Sequence, residues 1–168
     1  MLTGLSIRDV VLIEALDLEF ANGLGVLTGE TGAGKSILLD ALGLALGARA
    51  DSGLVRAGAD KAQVTASFDA PANVVALLGD NDIEIDVGEP LLIRRSVKAD
   101  GGSKAFINDQ PCSAALLRDV GASLVEIHGQ HDDRGLLNPR GHRALLDAFG
   151  RCDTATVAAN FTSWHEAN

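Results

Sequence analysis

The string Gly29-Glu30-Thr31-Gly32-Ala33-Gly34-Lys35-Ser36 constrains this chain more than any other feature. It fits the pattern GxxxxGK[ST], and its surroundings matter as much as its letters. Before it, residues 24–28 read as a short apolar strand. After it, residues 35–46 are apolar nearly all round, as in a buried helix, and Gly47 ends the run. Strand, glycine-dense loop and helix in that order bring successive backbone N–H groups and the positive helix end onto one anion. The anion expected here is a nucleotide triphosphate. Gly29, Glu30, Thr31, Gly32, Ala33 and Gly34 would form the cradle, Lys35 would reach the β- and γ-phosphates, and the Ser36 hydroxyl would hold Mg²⁺. Ile37 completes the set of nucleotide-contacting positions, so ATP and Mg²⁺ are the expected cofactors.

The rest of the chain reads as α/β with an antiparallel portion. Residues 2–8 and 12–20 make a half-buried hairpin, since Leu16, Leu18 and Phe20 alternate with Asp17 and Glu19. Residues 62–69 form a further strand and 71–78 a short helix with Pro71 at its start. Residues 91–98 and 104–108 flank Asp100-Gly101-Gly102, a hairpin signal. Ser113 can cap a helix to about residue 119, residues 123–128 read as a strand, and Pro139 opens a helix through 148. The tail, 153–168, suits a helix whose stripe of Val157, Phe161 and Trp164 has nothing obvious to pack on. Residues 1–150 are thus expected to form one unit and 151–168 the start of a coiled-coil helix that stops short.

Composition narrows the function classes. A chain of 168 residues with 46% hydrophobic content can bury one core. No apolar run reaches the roughly 18 residues that span a bilayer, and no secretory leader is visible, so a cytoplasmic protein without membrane contact is expected, and a nucleoid-associated one if the resemblance given below holds. Cys112 and Cys152 are far apart with no CxxC spacing, which suits a reducing compartment. The formal charge of -9 argues against a nucleic-acid surface over the whole molecule, because phosphate contacts need clustered Lys and Arg.

About twenty residues precede the glycine-rich loop, whereas many small P-loop kinases and GTPases begin with the loop's own strand. That favours the ATP-binding-cassette group. Transporter members usually stack an N-terminal aromatic residue on adenine, but the chain has no Tyr, and Phe20 sits in a strand pattern. Residues 23–42, GLGVLTGETGAGKSILLDAL, and residues 125–131, VEIHGQH, together resemble the RecN family of SMC-like DNA repair ATPases. The resemblance covers approximately residues 1–150. It implies the N-terminal lobe of an ATPase head, with Lys35 and Ser36 as Walker A residues and Gln130 approaching Mg²⁺ and the attacking water. Lys35 and Gln130 are then the catalytic candidates, and Ser36 and Gln130 the Mg²⁺ candidates. It further implies a phosphate contact for Arg8 and an arginine-loop role for Arg49 or Arg56. The partners implied are the C-terminal half of the same head, a second head held by ATP, and DNA.

Two constellations compete with this reading. His128 and His131, followed by Asp132 and Asp133, could be zinc ligands, but the spacing is loose and no further Cys or His cluster supports them. A self-contained small-molecule kinase would need a lid bearing arginines, and Arg94-Arg95 is the only adjacent Arg pair. A non-catalytic nucleotide-binding scaffold is the third alternative. The 168 residues contain no LSGG-like string and no four-residue apolar run ending in Asp-Glu, so the Walker A and Gln elements are expected to bind nucleotide without hydrolysing it.

Overall fold

The structure, a computed structural model, describes residues 1–28, 34–85, 88–125, 127, 142–150, 152 and 154–166. It divides into two compact units, Met1–Val125 and Glu126–Asn168.

The first unit is built on one antiparallel sheet. Its strands are β1 (Leu2–Val10), β2 (Ile13–Glu19), β3 (Lys61–Phe68), β4 (Leu91–Lys98), β5 (Ser103–Ile107) and β6 (Gln110–Cys112), in the order β2-β1-β3-β4-β5-β6. Period-2 alternation assigns the faces. Leu5 pairs with Ala66, Ala66 with Ile93 and Ile93 with Ile107, while Ile7 pairs with Val64, Val64 with Arg95 and Arg95 with Ala105. Apart from Arg95, these residues form a continuous apolar layer and are almost completely buried. The other face carries Ser6, Arg8, Gln63, Thr65, Arg94 and Ser96, in the mixed burial expected of a solvated side.

Three helices belong to this unit: α1 (Gly34–Ala45), α2 (Ala72–Gly79) and α3 (Ala114–Leu124). α1 packs on β1, β3 and β4 with Ile37, Ala41, Leu42, Leu44 and Ala45 buried. Full burial of one Leu such as Leu44 contributes on the order of 2 kcal/mol, so this apolar stripe fixes where α1 lies. α2 packs on α3, and α3 meets the end of α1 through two glycines. A Cβ on Gly47 would stand 2.6 Å from the Arg118 backbone nitrogen, and one on Gly121 would stand 2.7 Å from the Leu46 carbonyl oxygen. Ser113 caps α3 by accepting a hydrogen bond from the Leu116 N–H, 3.0 Å away, as its position in the sequence predicts.

Three local expectations are corrected. Residues 24–28 are not a strand: none pairs with a described strand, and Leu24, Val26 and Leu27 are 96%, 76% and 53% exposed. An apolar run signals burial but cannot supply the partner that a strand requires. Ser123 and Leu124 belong to α3, not to a strand: Val125 N–H still bonds the Gly121 carbonyl, and the Ser123 hydroxyl donates to the Asp119 carbonyl. β6 was not anticipated. It closes on β5 through Asn108 and Asp109, both at positive φ (43° and 62°), as a two-residue hairpin turn requires.

The second unit contains α4 (His142–Phe149) and α5 (Thr154–Glu166). On α5, Val157, Phe161 and Trp164 are exposed, and the rings of Phe161 and His165 stack with centroids 6.1 Å apart. Among the described residues no helix is long and apolar enough to cross a membrane.

Candidate nucleotide site

The candidate site centres on the N-terminus of α1. Gly34 opens the helix, followed by Lys35 and Ser36, and all three are exposed. Ile37 is buried on the sheet side, which anchors the first turn while leaving its backbone at the helix end. No acidic residue occupies that turn, so nothing there opposes the positive end of the helix. Among the described residues, a Cβ added to Gly34 would meet nothing within 4 Å. An exposed helix N-terminus with a lysine and a hydroxyl in its first turn suits a phosphate chain and its Mg²⁺. Gly29, Glu30, Thr31, Gly32 and Ala33 lie outside the described residues, as do Gln130, His128, His131, Asp132 and Asp133. Among the described residues no group of three or more His, Cys, Asp or Glu side chains could hold a metal ion.

The three arginines singled out in the sequence fall in different surroundings. Arg8 lies on the solvated face of β1, where its guanidinium donates to Asp17 Oδ2 at 2.8 Å and to the carbonyls of Ile7 and Leu16. Its hydrogen bond to Asp17 raises the Arg8 pKa from its ordinary value. Arg56 is pinned beside the β1–β2 turn. Its Nε donates to Asp9 Oδ1 at 2.8 Å, its Nη2 lies 3.8 Å from Glu14, and its backbone N–H bonds the Asp9 carbonyl. Residues 52–56 are thereby held against the turn, which explains Arg56 as a staple. Arg49 is exposed just beyond α1.

One residue of the basic pair behaves unlike its neighbour. Arg94 faces solvent, stacks over Phe106 at 4.7 Å and pairs with Asp109 at 2.7 Å. Arg95, one position on, points to the covered face and is only 5% exposed. Alternation along 91–98 carried that information, because Leu91, Ile93 and Val97 put position 95 on the apolar side.

Comparison with known proteins agrees with this architecture. A family model described as an AAA domain matches residues 5–111. DNA repair protein RecN of Xylella fastidiosa (strain Temecula1) is 41% identical over 98% of this chain and 30% of its own length. RecN of Vibrio cholerae is 39% identical over 100% of this chain and 31% of its own, and RecN of Bacillus subtilis 36% identical over 99% and 29%. The chain therefore spans about 30% of the length of the curated relatives it matches. Among solved structures, an SMC ATPase from work on ATP-driven dimerization and DNA-stimulated activation superposes with a TM-score of 0.64 at 24% identity. That match covers 87% of this chain and 97% of the other. The recombination mediator RecF superposes with a TM-score of 0.56 at 20% identity, over 70% of this chain and 29% of RecF. These likenesses establish the fold of a P-loop ATPase head. With the AAA-domain match across residues 5–111 and RecN relatives similar over nearly its whole length, the chain belongs to the AAA-domain family and, within it, is similar to the DNA repair protein RecN.

Proposed function

We propose that this chain is the P-loop portion of an SMC-like ATPase head that binds ATP and Mg²⁺ in DNA double-strand break repair and recombination. The observation that carries the proposal is the exposed Gly34-Lys35-Ser36 turn at the N-terminus of a helix whose other face is locked into the sheet. Phosphate oxygens would lie against the helix end, with the Lys35 ammonium countering the β- and γ-phosphate charge and the Ser36 hydroxyl holding Mg²⁺. Mg²⁺ would neutralise charge that develops on the γ-phosphoryl group. Gln130 would orient the attacking water, and Arg8 would exchange its carboxylate partner for a phosphate. Relatives are more than three times as long as this chain, so the remaining catalytic carboxylates are assigned to further polypeptide. The family's logic then makes the nucleotide a bridge between two heads, so that binding free energy becomes association free energy. DNA and a second head are the partners of the intact assembly in this reading.

Titration calorimetry of ATP with wild type and Lys35→Ala tests the assignment. The substitution is expected to abolish measurable binding, since the triphosphate loses its principal charge-assisted contact. Equal affinity in the two proteins would remove Lys35 from the site.

A further inference from the structure

The buried Arg95 draws attention to the opposite end of the sheet. Its Nη2 donates to the Ser103 Oγ at 3.1 Å, while its Nε is buried with no acceptor. An arginine stays charged in a folded protein, and a buried guanidinium without a counter-charge is costly. Such an orphan calls for an explanation in the groups around it. No described carboxylate pairs with it. The neighbouring charge is Arg118 of α3, another cation; burial above all lowers the Arg95 pKa, Cys112 opposes that shift, and Arg118 adds a smaller lowering. Cys112 does not supply the missing anion, because burial pushes its thiol pKa up despite the nearby guanidinium.

Arg95, Ser103 and Cys112 line a cleft of about 460 Å³, together with Lys104, Pro111 and Ala114. Ser103 accepts from Arg95, which leaves its O–H to donate onward. Ala114 is the first residue of α3, an eleven-residue helix in which Ser113 takes the Leu116 and Leu117 N–H groups, leaving those of Ala114 and Ala115 without a partner within the helix. The cleft is not the P-loop. α3 abuts the C-terminal end of α1 at Gly47, and a helix of twelve residues puts its N-terminus about 18 Å away.

We propose that this cleft is a second oxyanion site that binds a phosphate group, with Arg95 as its buried anchor and Ser103 and the N-terminus of α3 as its other donors. The bound oxyanion supplies the counter-charge that Arg95 lacks. The site stands independently of the nucleotide reading and is tested with the P-loop disabled. In the intact protein carrying Lys35→Ala, calorimetry at constant ionic strength should show saturable binding of inorganic phosphate. Adding Arg95→Met should weaken that binding by at least about tenfold, the loss of one charge-assisted contact. Ser103→Ala and Arg118→Gln together, both exposed and outside the core, should weaken it as well and decide the matter if Arg95→Met does not fold. A 5′-phosphorylated dinucleotide that competes with phosphate would support a nucleic-acid source, and failure to compete would support free phosphate. Absence of saturable phosphate binding, or an unchanged affinity in these variants, would overturn the proposal.

Discussion

Single side chains on the open sheet face hold each other by charge, and the pair Arg8–Asp17 shows what that implies for pH. The Arg8 guanidinium, and secondly the Ser6 hydroxyl, hold the Asp17 carboxyl below the usual carboxylate range. A carboxylate with a depressed folded-state pKa contributes stability that is present above its unfolded pKa. That contribution is lost as pH falls through the folded value. Because both partners are solvent-accessible, screening keeps the contribution small. Replacing Arg8 by Gln should move the Asp17 titration upward toward the ordinary value, as read from the carboxyl carbon shift in NMR. An unmoved titration would mean that the ion pair does not form in solution. The same variant examines the proposed phosphate contact, since ATP affinity should fall if Arg8 leaves Asp17 for the nucleotide.

Elements meet in this fold where side chains are absent, and that is visible at the crossing of α1 and α3. Gly121 lies inside α3, where Ala would ordinarily be preferred by about 1 kcal/mol, yet its Cβ would collide with the Leu46 carbonyl at 2.7 Å. Overpacking against backbone costs about 1–3 kcal/mol, so the clash outweighs the propensity gain and Gly121→Ala should lower the urea unfolding midpoint. Gly43 is the control. It too lies inside a helix, but its Cβ would meet only the Ala48 methyl at 3.9 Å, so Gly43→Ala should raise the midpoint. Opposite signs are expected, and a fall in both would show that helix backbone, not the crossing, is what the glycines serve. Such crossings are invisible to a reading of periodicity, which sees Gly121 only as a weak helix residue. The strands over 61–68 and 91–98 were legible because each alternates strictly and each finds its partner within the same unit. Residues 24–28 misled for the converse reason. Their apolar character advertises a buried strand, and the neighbour that would make them one is not among the described residues. β6 escaped notice because three residues are too few for alternation to register, although Asn108-Asp109 is a pair that tolerates the left-handed turn. Spacing alone put Lys35 and Ser36 in the first turn of a helix, as the structure has them, and their roles toward phosphate and Mg²⁺ belong to the proposal. The isolation of Arg95 was not legible, since its cost arises from what the neighbouring strands and α3 fail to provide.

On the scale of the molecule, the question is how much of an ATPase these 168 residues can be. Phosphoryl transfer requires an anchored Mg²⁺, an oriented water and stabilisation of charge on the γ-phosphoryl group at the same time. The chain carries the Walker A lysine and serine and a glutamine at 130, but no apolar run ending in Asp-Glu and no LSGG-like string. In the proposed reading, Mg²⁺ would find no Walker B carboxylate within these 168 residues. Leu24, Val26 and Leu27 stand exposed immediately before the P-loop, so the segment that should brace the loop is itself unburied. The 168-residue polypeptide alone should accordingly bind ATP weakly, hydrolyse it no faster than its Lys35→Ala variant, and self-associate through exposed apolar surface and the open edge strands β2 and β6. Co-expression with the remainder of a full-length relative should bring back a monodisperse species in sedimentation and a Lys35-dependent ATPase rate. The decisive observation is turnover by the short chain itself: a robust rate that vanishes with Lys35→Ala would show that 168 residues suffice for catalysis, and would favour the self-contained kinase-like alternative over a head completed by other polypeptide.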